Sequence, residues 1–274
     1  MIKAIIIDLD GTTLPRNGHQ ISEENRVALE EAGQQGVIRI LATGRSVFSL
    51  NNTLPEGLPV DYMVFSSGAG IMHWDDKEIL LTRELSAEET RDIATHLWKY
   101  DIKFTIQQRI PDNHHFYYRN ISSLHEDFRR RIENYPGLGT PISSIDEIQG
   151  GATQFLVILD AQQLQLHGDI QQKLSTYSVI RSTSPIDNQA IWTEVFAPDV
   201  NKGTSCQLLL NQLNLRYEEC AGLGNDYNDI DFLNRCGHPF VVSNAPESLR
   251  EQFDTMPADE DNGLAAFVRH SLNL

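Results

Sequence analysis

Two aspartates stand two residues apart at the end of an apolar run, in Ile5-Ile6-Ile7-Asp8-Leu9-Asp10-Gly11-Thr12-Thr13. Side chains alternate along a strand, so Asp8 and Asp10 are expected to point the same way where the strand ends. Carboxylates that close repel each other unless a cation lies between them or one takes up a proton. Gly11 permits a tight turn, and the backbone N–H groups after it can face an anion. A metal ion and a phosphate group would together satisfy all of these groups. The pair alone is also compatible with solvated aspartates at a strand end, or with a glycosyltransferase that holds Mn2+ through a DxD. The latter is disfavoured because Asp8 leaves no room upstream for a nucleotide-binding βαβ unit.

The elements that must position these acids follow from periodicity and capping. Ala4 to Ile7 are apolar and mostly β-branched, which suits a strand buried on both faces. Ser22, followed by Glu23 and Glu24, predicts a helix N-terminus, and Gly36 a helix end. The stretches 37–45 (VIRILATGR) and 62–70 (YMVFSSGAG) each predict a strand running into a turn of small residues. In a parallel α/β sheet such turns, at the carboxyl ends of the strands, hold the ligand. From about residue 83 the texture changes. SAEE at 86–89 predicts a capping box. Strands are expected at 103–108, 115–119, 153–159, 177–182 and 190–196, and helices near 123–134 and 161–174. The parallel pattern returns at 198. The expected fold is α/β, with a Rossmann-like parallel-sheet core formed by 1–82 and 198–274 and an inserted α+β cap domain at 83–197.

The chain has 274 residues, 40% of them hydrophobic, enough for a sizeable core in one or two domains. A net charge of -16 argues against a nucleic-acid partner and an anionic membrane surface. Three cysteines without a C-x-x-C pair predict free thiols in a cytoplasmic protein. No signal peptide is expected, and no stretch approaches the ~20 apolar residues of a membrane span.

DLDGTTL (8–14), LATGR (41–45), NKG (201–203), GLGNDYNDIDFL (222–233) and VVSNAPESL (241–249) occur in this order. Together they resemble the haloacid dehalogenase-like hydrolase superfamily, and in detail its Cof-type sugar-phosphate phosphatases, which carry a large α/β cap. The tail DEDNGLAAFV (259–268) is similar to the usual family ending. The resemblance implies Asp8 as nucleophile, Asp10 as general acid and then base, Thr43 as a hydroxyl on the phosphoryl group, and Lys202 as its neutralising cation. It implies Gly11, Thr12, Gly44, Arg45, Ser67, Gly68 and Asn228 around the substrate, a small phosphorylated metabolite such as a sugar or polyol phosphate. Taken alone, Thr43 reads equally as a helix N-cap, Arg45 as a surface arginine, and Ser67 with Gly68 as a small-residue turn that lets strand and cap approach closely. It also implies Mg2+ held by Asp8, the Asp10 carbonyl and the GNDYND loop. Ser67 stands where the family often has Asn. Asn225 stands where the family has a metal-binding Asp, so Asn225 is expected to approach the metal through its side-chain oxygen. Asp229 would supply charge nearby, and Asp226 is the alternative ligand. The cap is expected to close over the leaving group. A phosphomutase, or a phosphosugar-binding protein without turnover, would share these core motifs. Outside them, Arg129 to Arg131 read as a solvated helix face.

Overall fold

The computed structural model describes residues 1–16, 20–119, 126–184 and 189–274. Residues 17–19 of the expected loop and 123–125 of the expected helix lie outside these. The chain divides into two compact units, residues 1–82 with 201–274, and residues 83–200. The second unit runs on to 200 rather than to the expected 197. The reason is local: the Arg83 guanidinium donates to the carbonyls of Pro198 and Asp199 at 2.7 and 2.8 Å, which ties the returning chain to its own start.

In the first unit, strands β1 (Ala4–Asp8), β2 (Ile38–Ala42), β3 (Tyr62–Phe65), β4 (Gly70–His73) and β5 (Ile79–Thr82) precede the second unit. Strands β12 (Cys220–Gly224), β13 (His238–Val242) and β14 (Asp254–Met256) follow it. The sheet order is β14-β13-β12-β1-β2-β3-β4-β5. Pairing is parallel from β14 to β3, whereas β4 and β5 extend the sheet as an antiparallel edge that the sequence pattern did not suggest. Ala4 to Ile7 are wholly buried. Each isoleucine there contributes roughly 1.5–3 kcal/mol of burial, as a strand covered on both faces requires. The chain leaves β1 toward β2 on one side and meets β12 on the other, so the end of β1 lies at the crevice where strand order reverses.

Helix α1 (Glu23–Gln34) is capped as expected, Ser22 Oγ accepting from Asn25 N at 3.1 Å. Helix α6 (Lys202–Gln212) starts at the NKG motif, and each residue of that motif has a physical reason. Asn201 Oδ1 accepts from Thr204 N at 2.7 Å and so fixes where the helix begins. Lys202 opens the first turn. A side chain at 203 would come within 2.7 Å of the Asp231 backbone, so only glycine lets α6 pack against α7 (Ile230–Leu233). Leu209, Leu210 and Cys206 of α6 join Ile6, Ile40, Val64, Phe232 and Val241 in one core. The three cysteines are free and buried.

In the second unit, α3 (Ala87–Trp98) carries the expected capping box on Ser86 and Glu89. Its sheet comprises β6 (Phe104–Gln107), β7 (Phe116–Arg119), β8 (Gly139–Ile142), β9 (Gln154–Leu159), β10 (Ser178–Thr183) and β11 (Ile191–Phe196), in the order β10-β11-β9-β6-β7-β8. It is antiparallel except for β7 with β8. Helix α4 (Glu126–Glu133) packs Phe128 on Leu156 and Ile158. Arg129 and Arg130 are solvated and paired with Glu126, as expected. Arg131 is not: its guanidinium lies 5.1 Å from the Trp192 ring and 5.6 Å from that of Tyr135, because the helix turns that residue toward the sheet.

Gly68 has φ +103, and a Cβ there would sit 2.3 Å from the Asn201 carbonyl oxygen. Gly68→Ala is therefore expected to destabilise the protein by about 2–4 kcal/mol, read by urea unfolding. Unchanged stability would show that this turn does not seat the start of α6.

Candidate active site

The carboxyl ends of the parallel strands bring the motif residues together. Asp8 closes β1, Thr43 follows β2, Ser66 and Ser67 follow β3, and Asn225 follows β12. Lys202 Nζ donates to Asp8 Oδ1 and to Asp229 Oδ1, both at 2.7 Å. All three side chains are buried. Thr12 Oγ1 donates to the other Asp8 oxygen at 3.1 Å, and Thr13 Oγ1 donates to the Asp8 carbonyl at 2.8 Å. Thr12, expected at the substrate, thus orients the Asp8 carboxylate.

Burial, and next the Asp229 carboxylate, push the Asp8 pKa up from its ordinary 3.8 to about 7, against the lowering pull of Lys202. Burial also works against the charge on Lys202, but Asp229 and Asp8 outweigh it and hold the ammonium above the usual lysine range. The site thus keeps one fixed positive charge beside the carboxylate that would react.

Asp10 is held by a different side-chain partner from Asp8. Its carboxylate takes three hydrogen bonds of 2.6–3.0 Å from Arg45 Nε and Nη2. Arg45 also reaches Thr53 Oγ1 at 2.5 Å. Thr43 is fully buried. It does not cap a helix: its hydroxyl accepts from Arg45 N at 3.1 Å, whereas Ser46 caps α2 (Val47–Thr53). Thr43 and Arg45 are thereby held as one unit at the end of β2. A Cβ on Gly44 would lie 3.4 Å from Ser67 Oγ, so the turns after β2 and β3 are in contact range. Ser67, with φ 52, donates its N–H to the Thr43 carbonyl at 2.9 Å. Gly68, expected near substrate, packs on the start of α6, its carbonyl accepting from Ser205 Oγ at 2.6 Å. Asn228 is half-buried, and none of the hydrogen bonds described joins its side chain to this network.

The GNDYND loop is tied to the lysine. Asp229 Oδ2 accepts from Asn225 N at 2.8 Å and Asp226 N at 3.0 Å. Both Asp229 oxygens are therefore engaged, one with Lys202 and the other with the loop. A side chain at Gly224 would meet the Asp229 carboxylate at 2.7 Å, which explains the glycine. Asn225 Nδ2 donates to the Asp10 carbonyl at 2.9 Å, so its amide nitrogen faces that carbonyl where its oxygen had been expected to face a metal. Asn244 lies in the VVSNAPESL segment that follows the start of β13. Its Nδ2 donates to the Gly11 carbonyl at 2.9 Å, and its Oδ1 accepts from Asp259 N at 3.2 Å, so the loop after β13 fixes the turn after β1.

Among the described residues, no group of three or more His, Cys, Asp and Glu side chains is placed to hold a metal. The oxygen donors at this strand end are the Asp8 carboxylate and the Asp10 carbonyl, and the Asn225 amide, now bonded to that carbonyl through its nitrogen, carries a third. All are hard donors, and Mg2+ needs few protein ligands when water and phosphate complete its shell. The donor set fits Mg2+ with one negative charge fewer than a second carboxylate would give.

Residues 5–268 match the haloacid dehalogenase-like hydrolase family. The chain is 24% identical over 292 residues to phosphatase YwpJ of Bacillus subtilis, covering 99% of this chain and 100% of that one. It is 24% identical over 294 residues to the B. subtilis 5-amino-6-(5-phospho-D-ribitylamino)uracil phosphatase YwtE, covering 99% of each. Among solved structures it is similar to a HAD subclass IIB sugar phosphatase, with a TM-score of 0.78 at 17% identity, covering 99% of this chain and 100% of that one.

Removing the lysine would leave two buried carboxylates facing each other. Lys202→Met is expected to cost about 3–5 kcal/mol at pH 8, read by denaturant unfolding. A second expectation concerns pH in the presence of a chelator. A folded-state pKa raised to about 7 favours the native state fully below the ordinary 3.8, and that advantage is lost as pH rises toward 7. Wild-type stability relative to Asp8→Asn should therefore fall across that window. A flat difference would show that Asp8 is not desolvated.

Proposed function

The chain belongs to the haloacid dehalogenase-like hydrolase family and is a phosphoric monoester hydrolase, and on that premise we propose a mechanism through an aspartyl-phosphate intermediate. The observation that carries this reading is Lys202 Nζ, buried and 2.7 Å from the Asp8 carboxylate. An Asp8 oxygen attacks phosphorus, the P–O bond to the leaving group breaks, and Asp8 becomes the acyl phosphate. Lys202 holds the carboxylate in place and neutralises charge at the transferring group, the largest expected term for a reaction that rests on positioning and electrostatics. Asp10, once released from Arg45, takes up a proton from solvent and gives it to the leaving alkoxide, then takes one from the water that attacks the phosphorus and frees Asp8. Arg45 is well placed to pass from Asp10 to a phosphoryl oxygen. Thr12 and Thr13 keep Asp8 oriented throughout.

Asp8, the Asp10 carbonyl and Asn225 would hold Mg2+, which when bound supplies positive charge against the phosphoryl oxygens.

Family phosphatases act on small phosphorylated substrates. The names of two similar proteins, a ribityl-phosphate compound's phosphatase and a sugar phosphatase, support a sugar or polyol phosphate for this chain. Selection of the leaving group is assigned to residues 83–200, as the cap that the sequence resemblance implies. Three free, buried cysteines support a reducing, cytoplasmic setting, and among the described residues no helix is long and apolar enough to cross a membrane.

Phosphate release from a panel of phosphorylated sugars and polyols, with and without Mg2+, tests the reading. Asp8→Asn should lower the best rate by on the order of 10^4 or more while the circular dichroism spectrum is unchanged. Near-wild-type turnover by that variant, checked for deamidation, would refute the nucleophile. Substitutions within 83–200 should alter preference across the panel more than they alter hydrolysis of a small generic phosphate ester.

A further inference from the structure

The Asp10 carbonyl is the point at which a protein hydrogen bond and a metal ion would meet. Asn225 Nδ2 lies 2.9 Å from that oxygen. A carbonyl oxygen only accepts, so the side-chain nitrogen, not the oxygen, must face it. The amide is 3% exposed, and its backbone N–H is fixed on Asp229. On the other side it is pressed against the backbone: a Cβ added to Gly11, whose φ is +78, would come within 2.3 Å of Nδ2. The Gly11 carbonyl is in turn held by Asn244. The amide is thus seated in a rigid cradle made by the turns after β1, β12 and β13.

The surrounding charges are met by side chains. Asp8 and Asp229 share Lys202, and Asp10 is held by Arg45. An acid at position 225 would set a carboxylate oxygen against the Asp10 carbonyl, two acceptors that need a cation or a proton between them. Asparagine removes that need. Its N–H supplies the positive partial charge that the carbonyl would otherwise draw from a metal. The carbonyl keeps a second lone pair, but a cation using it would face the amide hydrogens.

We propose that Asn225 is a built-in substitute for the divalent cation: the amide and the cation compete for the Asp10 carbonyl, and the cation enters only when the amide turns over to present its oxygen. This rests on the reading that Mg2+ is held by Asp8, Asp10 and Asn225. The site then stays assembled without metal, and metal binding has a hydrogen bond to break and one carboxylate fewer to gain.

Mn2+ binding followed by electron paramagnetic resonance, and melting in EDTA or millimolar Mg2+, test this on the whole protein without reference to turnover. Wild type should melt only slightly lower in EDTA than in Mg2+, because a weakly bound cation adds little stability. Asn225→Asp should bind Mn2+ on the order of tenfold more tightly. It should also melt lower in EDTA and recover in Mg2+. Asn225→Leu, which keeps the shape but lacks the N–H, should melt lower than wild type in both buffers and not recover in Mg2+. Wild-type Mn2+ affinity equal to that of Asn225→Asp, or a wild-type melting temperature that falls in EDTA as far as that of Asn225→Asp, would overturn the proposal. So would an Asn225→Leu protein as stable as wild type. The identity of the nucleophile is read separately by phosphate release from Asp8→Asn, so either reading can fail alone.

Discussion

One ammonium group shared by two buried carboxylates organises the core. Lys202 Nζ lies 2.7 Å from Asp8 and 2.7 Å from Asp229. A buried triad of this kind is a poor source of net stability, since desolvation offsets most of the attraction. It is a strong source of position, because displacing any member leaves a buried charge unmatched. The surrounding sequence reads as a set of conditions for that contact. Asn201 fixes where the helix starts, Gly203 lets it approach α7, Gly68 lets the β3 turn meet it, and Gly224 leaves room for Asp229. Arginine would bring a planar fork of five donors to a cavity built for a compact point charge.

The second charge pairing has a different character. Arg45 with Asp10 is partly exposed, with side-chain exposures of 26% and 39%, so it is screened and exchangeable. The contrast separates the two aspartates of the opening motif. Asp8 is locked by buried partners, which suits the nucleophile proposed above. Asp10 is held by a partner that an incoming anion can draw away, which suits the proton donor and acceptor proposed above.

Much of this was legible in the sequence, for reasons that differ by residue. Burial on both faces of β1 follows from four apolar residues in a row, and the caps at Ser22 and Ser86 follow from side-chain chemistry one turn long. Such signals are local. Lys202 was legible only through its place in a family-like motif, since a lysine before a helix is ordinarily solvated. Tertiary contacts decided the rest. Nothing local shows that Gly68 packs on the helix start or that Asn225 presents its nitrogen to Asp10. The antiparallel edge formed by β4 and β5 was missed because short apolar segments after a turn carry no directional signal. Arg131 was misread because its neighbours, Arg129 and Arg130, are the solvated ones, and a run of like charges hides which face of the helix turns inward.

The separation of site residues along the chain bears on how the protein is made. Asp8 and Lys202 are 194 residues apart, and Gly11 and Asn244 are 233 apart. At roughly 5–20 residues per second, Asp8 leaves the ribosome about 10–40 s before its lysine exists. Throughout that interval the β1 edge that will pair with β12 has no partner, although it belongs to the most apolar strand of the sheet. Such an edge is a template for misassembly. The interrupted core therefore creates a demand on the translating cell: the nascent first segment must be shielded until the last quarter of the chain arrives to close the sheet.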